Sequence, residues 1–502
     1  MRNNISKSRY TLFRQCPKAL WLNTYKPELC VISDALQQRF QAGSIVGNWA
    51  KGLFGKYVEV TTYDADGKLN LTKMVANTRK CIESETEVIC EAAFQYAGTY
   101  CAVDILKKDN SGYAIYEVKS STDGDKEVYA QDIAFQKYIL THCGIEVTRT
   151  YLISINSDYV LDGELDIHRL FQIQDISVTV EREYLSVEHQ VAKAKQMLTQ
   201  KDVEPNEDLD IHCHKPYDCA FWEYCSRHLP ENSVFDLYRM TFDKKIAYYQ
   251  QNKITFEQLQ SDQLNEKQQM QIHCALNNTI YINKVEIASF LSTLSYPLYF
   301  LDFETMQPVI PEFQKTHPYQ QIPFQYSLHY IEQEGGKLKH KEFLGESGED
   351  PRRTLAEQLC ADIPLDVCTT AYNKAFECTR LTELADTFPD LAQHLLNIRD
   401  HIVDLLVPFQ SGWYYVPAMG GSFSIKSVLP ALFPNDPELD YHNLAGSVHN
   451  GSEAMSVFPK IKDMSTEEQV AARQSLLKYC ELDTYAMVKV WQKLKEVAET
   501  ET

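Results

Sequence analysis

Hydrophobic and polar positions divide the chain into stretches of different period. In ISKSRYTLFRQCPKALWL, Leu12, Cys16, Leu20 and Trp21 fall at helical spacing with Ser6 or Ser8 placed to cap, and residues 1–60 read as mostly helical. Residues 86–120 change period. TEVICEAAFQYAGTYCAVDILKKDNSGYAIYEVKSS predicts short strands broken by turns at Tyr96-Ala97-Gly98 and Asp109-Asn110-Ser111-Gly112. DIAFQKYILTHCG returns to helix, TRTYLISIN at 148–156 to strand and 181–199 to helix, an order that predicts a mixed sheet with a flanking helix. Residues 229–290 carry amphipathic stretches rich in Lys, Gln and Tyr and read as a helical connector. A second α/β region opens at SYPLYFLDFETM, an apolar run ending in acids that reads as a buried strand. It closes on the periodic helix AARQSLLKYCELDTYAMVKVWQKLKEVA. The pattern predicts an α/β protein of two domains, 1–228 and 291–502, joined by the connector at 229–290.

Composition narrows the class. A chain of 502 residues that is 44% hydrophobic and 24% charged has apolar material for more than one core, which excludes a single small domain. The net charge of −20 excludes a molecule-wide basic surface for nucleic acid. Residues 1–60 are the local exception, with nine Lys and Arg against Glu28, Asp34 and Glu59. The start lacks the apolar core of an export signal and no run of about 18 apolar residues follows, so a cytoplasmic protein without a membrane partner is expected. In that reducing compartment the 14 cysteines predict no disulfide framework, and clustered thiols point to metal instead.

Two acidic constellations carry candidate chemistry. Glu117 and Lys119 in YAIYEVKSS lie two apart on a predicted strand and share a face, with Asp104 on the neighbouring hairpin strand. Two carboxylates hold a hard divalent cation, and an adjacent ammonium positions the attacking water. An acid-x-Lys pair taken alone is more often a solvated face. Cys213, Cys219 and Cys225 recur at a spacing of six, with Cys16 far upstream, and offer four thiols to an iron-sulfur cluster, or to zinc if His212 or His214 joins.

The ordered combination of Ser8 to Leu22 with its Cys-Pro-Lys, Asp104, Glu117-Val-Lys119, the AFQKY helix and the late cysteine triplet resembles the RecB-like PD-(D/E)XK nucleases with an iron-sulfur cluster. The resemblance implies that Asp104 and Glu117 bind Mg²⁺ or Mn²⁺, that Lys119 acts on water, and that Gln136 and Tyr138 orient substrate. It also implies a 4Fe-4S cluster on Cys16, Cys213, Cys219 and Cys225. The family has a His in the helix corresponding to AGSIVGNWAKGLF, where this chain has Gly47 and Asn48. Glu91 is the candidate replacement.

In the second domain, Asp302 and Glu304 stand two apart at the end of an apolar strand, where burying both without cations is costly. Asn373, Phe376 and Glu377 precede an amphipathic helix, and Tyr479 and Asp483 lie one turn apart on the last one. The order Asp-x-Glu, Asn-x-x-Phe-acid, Tyr-x-x-x-Asp resembles the DEDDy 3′–5′ exonucleases on a ribonuclease H-like fold. By that resemblance Asp302, Glu304, Glu377 and Asp483 are metal carboxylates and Tyr479 orients the water. Glu377 replaces the family's Asp, with Asp404 as an alternative, and Lys426 in GGSFSIKSVLPAL is a candidate phosphate contact. The fusion as a whole resembles a bacterial domain-of-unknown-function family. The expectation is a two-headed, metal-dependent nuclease acting on DNA, single-stranded or at free ends, with RNA an open substrate. DNA repair, recombination or antiviral defence, with a helicase or defence-system partner, is the setting expected. The alternative is an iron-sulfur nucleic-acid-binding or assembly subunit with one or both heads inactive.

Overall fold

The computed structural model describes residues 4–122 and 125–500 and divides into two units. One is the chain up to His228 with Val309–Tyr319, and the other is Leu229–Pro308 with the chain from Gln320 onward. In the first unit the Ser6 hydroxyl caps α1 (Lys7–Gln15), accepting the Arg9 N–H at 3.3 Å. The helical spacing across Cys16 does not make one helix. Cys16 is extended (φ −157°, ψ 117°) and Pro17 opens α2 (Pro17–Tyr25). A residue before proline is driven out of the α region, while proline suits the first helical position.

The remaining elements of this unit are α3 (Asp34–Ala50), α4 (Leu71–Glu83), α5 (Lys126–His142), α6 (Ile167–Leu170), α7 (Ser177–Met197) and α8 (Trp222–Ser226). Its strands are β1 (Ile5–Ser6), β2 (Val58–Glu59), β3 (Val88–Tyr96), β4 (Thr99–Lys108), β5 (Tyr113–Val118), β6 (Val147–Ile155) and β7 (Phe171–Asp175). The sheet runs β2-β3-β4-β5-β6-β7, with β1 beside β4. β3, β4 and β5 are antiparallel neighbours, and β6 returns parallel to β5 after α5. The β3–β4 hairpin turns on Ala97 and Gly98, both left-handed (φ 43° and 76°), the geometry a two-residue hairpin loop demands. β5 is buried on both faces. Ile115 lies in one core with Tyr10, Phe135 and Val187, and Ala114 and Tyr116 lie in the other with Val46 and Ala50.

In the second unit, residues 229–290 fold with the domain that follows them, as α9 (Phe242–Gln250), α10 (Phe256–Leu259), α11 (Glu266–Asn277) and the start of α12 (Lys284–Leu291). Strands β9 (Leu298–Met306), β10 (Ile322–Ile331), β11 (Lys339–Leu344), β12 (Cys368–Ala371) and β13 (Ile402–Asp404) form a sheet of order β11-β10-β9-β12-β13. β10 is antiparallel to both neighbours, whereas β9, β12 and β13 are parallel. A short ribbon pairs β8 (Tyr281–Ile282) with β14 (Tyr414–Tyr415). The alternation along β9 sorts its side chains: Tyr299, Leu301 and Phe303 pack with α13 (Arg352–Asp362), α14 (Ala375–Thr387) and α15 (Ala392–Asp400). Phe300 lies in the opposite core. That core also receives residues of α16 (Val407–Gln410), α17 (Ile425–Leu432) and the long α19 (Thr466–Glu499), while α18 (Gly451–Val457) precedes α19. A capping box of Ser465 and Glu468 fixes where α19 begins. Among the described residues, no helix is long and apolar enough to cross a membrane.

Candidate functional site

The second unit brings its motif carboxylates together. Asp302 and Glu304 share the Phe300 face of β9, toward α19, because they alternate with Phe303. Glu377 sits in the buried first turn of α14, and Asp483 on the buried side of α19 one turn after Tyr479. Burial and mutual repulsion push Asp302 far above the usual carboxylate range, with Asp483, Glu304 and Glu377 all contributing. Burial, then Asp483, does the same to Glu304, where Lys426 opposes it. Burial carries Glu377 up to about 8, with Asp404 adding to it. Burial lifts Asp483 to about 6, restrained by the Tyr441 hydroxyl, Lys426 and the Tyr479 hydroxyl. Among the described residues none of the four makes an ion pair, and Glu377 Oε2 is buried without a hydrogen-bond partner.

Sequence reading overlooked two groups here. Tyr441 donates its hydroxyl to Asp483 Oδ1 at 2.6 Å, from a loop whose sequence PELDYHNL has no period to mark it. Cys480, beside Tyr479, places its thiol 3.9 Å from Asp302 Oδ2, and donor atoms of Asp302, Glu304 and Cys480 all lie within 4.8 Å of one another. Lys426, in the first turn of α17, puts its ammonium 5.5 Å from the ring centroids of both Tyr441 and Tyr479. Asp404 acts on Glu377 and shapes the turn before α14, its Oδ1 accepting the backbone N–H of Asn373 and of Leu406, each at 2.9 Å.

The first unit also gathers its acids, but with cations already among them. Strand pairing sets Asp104 beside Glu117, and the Val118 N–H donates to Asp104 Oδ2 at 2.7 Å. Lys7 Nζ lies 2.8 Å from Glu117 Oε1 and 3.7 Å from Asp104 Oδ1. Lys119 bridges Glu117 at 2.9 Å and Asp132 at 2.7 Å. Burial alone would raise Glu117, yet Lys119 and Lys7 hold it down to about 2. Gln136 donates to Glu117 Oε2 at 2.6 Å. Tyr138, two residues on, packs its ring against Tyr96 and His142. Glu91 stands across the β3–β4 ladder from Asp104, in left-handed backbone (φ 56°), and burial followed by Asp104 raises it to about 7. Val46 and Ala50 of α3 are buried around Gly47 and Asn48, and Lys51 just beyond them bonds Glu59 at 2.9 Å. Lys7 and Asp132 were missed in the sequence. Asp132 had a signal, since it lies one helical turn before Gln136.

The four cysteines of the resemblance line one small cavity with His212 and Glu207. Cys16 sits at the α1–α2 break, where backbone N–H groups of Ala19 and Lys18 approach its sulfur. Cys213 and Cys219 are tied by a 2.9 Å backbone bond, Cys225 lies on α8, and Gln15 donates to the carbonyls of His212 and Tyr217 to fasten the segment to α1. Burial raises every one of these thiols, Cys16 to about 11 and Cys219 to about 12. Zn–S bonds of about 2.3 Å would hold tetrahedral sulfurs about 3.8 Å apart. No three of these sulfurs lie within 4.8 Å of one another. His214 is engaged elsewhere, 2.6 Å from Asp218. All fourteen cysteines are free thiols. The basic excess of the first sixty residues is largely paired inside the unit, through Lys7, Arg14–Glu183, Lys18–Glu204 and Lys51–Glu59.

A family profile described as a domain of unknown function (DUF2779) matches residues 299–424, a stretch that contains Asp302, Glu304 and Glu377 and ends before Tyr479 and Asp483. No curated protein matches the chain.

Proposed function

We propose that the chain is a metal-dependent nuclease whose second unit is a DEDDy-like 3′–5′ exonuclease head on a ribonuclease H-like fold. One observation carries this reading: the buried Glu304, Glu377 and Asp483 and the half-buried Asp302, from β9, α14 and α19, lie close enough that Asp483, Glu304 and Glu377 all raise Asp302, with no ion pair to any of them among the described residues. Such a cluster is stable as anions only with cations, and its four carboxylates, with the orphaned Glu377 Oε2, suit hard ions such as Mg²⁺ or Mn²⁺, while the Cys480 thiol stands beside Asp302 as a softer neighbour. Ions bound there would supply the charge that activates a water and stabilises the leaving 3′ oxygen. Asp302, Glu304, Glu377 and Asp483 would hold them. Tyr479 directs its hydroxyl toward this cluster and orients the nucleophile, while Lys426 meets the scissile phosphate. The position of the acids at the carboxyl ends of parallel strands is where open α/β sheets take ligands. The sheet order, with β10 its one internal antiparallel strand, agrees with the ribonuclease H-like reading.

For the first unit, the order α4-β3-β4-β5-α5-β6 and the meeting of Asp104, Glu117, Lys119 and Gln136 support a RecB-like PD-(D/E)XK fold. The four thiols, which line one cavity with backbone N–H groups aimed at the Cys16 sulfur, support a 4Fe-4S cluster, which would join α1–α2 to residues 213–225. Here a second reading has its own observation: the Lys7 ammonium already pairs with Glu117 and reaches Asp104, occupying the place between them that a cation would take. This head then binds nucleic acid without hydrolysing it, and the iron-sulfur module is a binding element. The test is end-labelled single- and double-stranded DNA and RNA incubated with Mg²⁺ or Mn²⁺ and wild type, Lys119→Ala or Asp302→Ala. Loss of a different activity in each variant establishes two heads. Loss in Asp302→Ala alone establishes one, and undiminished cleavage in both removes the proposal.

A further inference from the structure

We propose that His329, His340 and Glu481 form a separate site for a zinc-class divalent ion that fastens α19 to strands β10 and β11. His329 and His340 face each other directly across the β10–β11 ladder, their rings 4.5 Å apart. Glu481 comes from α19, between Tyr479 and Asp483 in sequence. One donor atom from each of the three lies within 4.8 Å of the others.

The hydrogen bonds around the histidines leave lone pairs for a metal. Thr484 Oγ1 lies 3.1 Å from the Glu481 carbonyl, 2.8 Å from His329 Nδ1 and 2.7 Å from Ser327 Oγ, and Ser327 Oγ lies 2.9 Å from His340 Nε2. With the Thr484 hydroxyl donating to the carbonyl, it accepts from His329 Nδ1–H and from Ser327, and Ser327 in turn accepts from His340 Nε2–H. In the tautomers in which each ring donates to its hydroxyl, His329 Nε2 and His340 Nδ1 carry the lone pairs. A ligating imidazole characteristically donates its other nitrogen to a fixed oxygen in this way. Glu342 lies two residues after His340 on the same face of β11.

The donor chemistry separates this site from the carboxylate cluster. Two imidazoles with a carboxylate select zinc, cobalt or nickel over Mg²⁺, whereas an all-oxygen set does the reverse. An ion here would tie the helix that carries Tyr479 and Asp483 to the sheet edge.

The full-length protein, stripped with chelator, is loaded with Zn²⁺ in millimolar Mg²⁺ and desalted. Bound zinc is then counted by elemental analysis beside thermal melting, for wild type, His340→Ala, Glu481→Gln and Asp302→Asn. The expected result is one zinc fewer per chain in His340→Ala, zinc weakened by at least about tenfold in Glu481→Gln, and an unchanged count in Asp302→Asn. Glu481 is exposed, so its variant keeps the test decisive if His340→Ala folds poorly. Equal zinc and equal melting gain in wild type and Glu481→Gln would overturn the proposal. So would loss of the same zinc in Asp302→Asn, which would assign that ion to the carboxylate cluster.

Discussion

In the proposed reading, Asp302 and Glu304 each serve metal binding and oppose folding at once. Each is pushed well above its usual range by burial and by the other acids, so without metal they are repelling neighbours in a poorly solvated place. Asp302→Asn should therefore raise the melting temperature of the metal-free protein while abolishing metal-dependent cleavage. A variant that melts lower in chelator would show that Asp302 is there for packing. Tyr479→Phe removes only the hydroxyl aimed at the cluster and should lower kcat about 10²-fold or more with KM little changed. In the first unit, Lys7→Met takes one of two ammoniums from the buried Glu117. It should lower stability in chelator and strengthen Mn²⁺ binding, read by calorimetry. Unaltered Mn²⁺ binding would mean that Lys7 does not compete for that place.

At the scale of elements, the geometry of the carboxylate cluster depends on how the loop before α18 is pinned to α19. Ser475 Oγ accepts the Ser447 and Val448 N–H groups at 3.1 and 3.0 Å, and a side chain at Gly446 would collide with it. Ser475→Ala leaves two N–H groups beneath the loop without an acceptor and should cost about 1–3 kcal/mol in denaturant unfolding. It should also reduce activity, because Tyr441, which bonds Asp483, precedes the same loop. The elements themselves were legible: turn signals bounded β3–β5, an apolar run ending in acids marked β9, and the 3.6-residue period marked α19. The helix across Cys16 was not, because apolar spacing continues through a position that the Cys-Pro step forces to be extended. The motif spacings Asp-x-Glu and Tyr-x-x-x-Asp reported shared faces correctly. Lys7, Tyr441 and Cys480 were invisible because each enters its cluster through tertiary packing, which no local period encodes.

For the whole molecule, linkage gives a pH signature. Asp483 and Glu377 titrate in the fold near about 6 and about 8, above their unfolded values of about 4. Their raised values favour the fold while they are protonated, and that contribution is lost as pH rises through the folded pKa values. Metal-free protein should melt progressively lower from pH 5 to pH 8, and Mg²⁺ should stabilise it more at pH 8 than at pH 5. A melting temperature that rises over this interval in chelator would contradict the charge assignment. Protein purified without oxygen should be brown, absorbing near 400 nm, and Cys219→Ser should lose the colour. The most direct measurement is release of the 3′-terminal nucleotide from a labelled strand, by wild type and Asp302→Ala, with Mn²⁺ and with chelator. Stepwise release by wild type in Mn²⁺ alone is predicted, with none from Asp302→Ala under either condition. Equal release by the two proteins, or release that persists in chelator, would contradict the assignment of this carboxylate cluster as the hydrolytic centre.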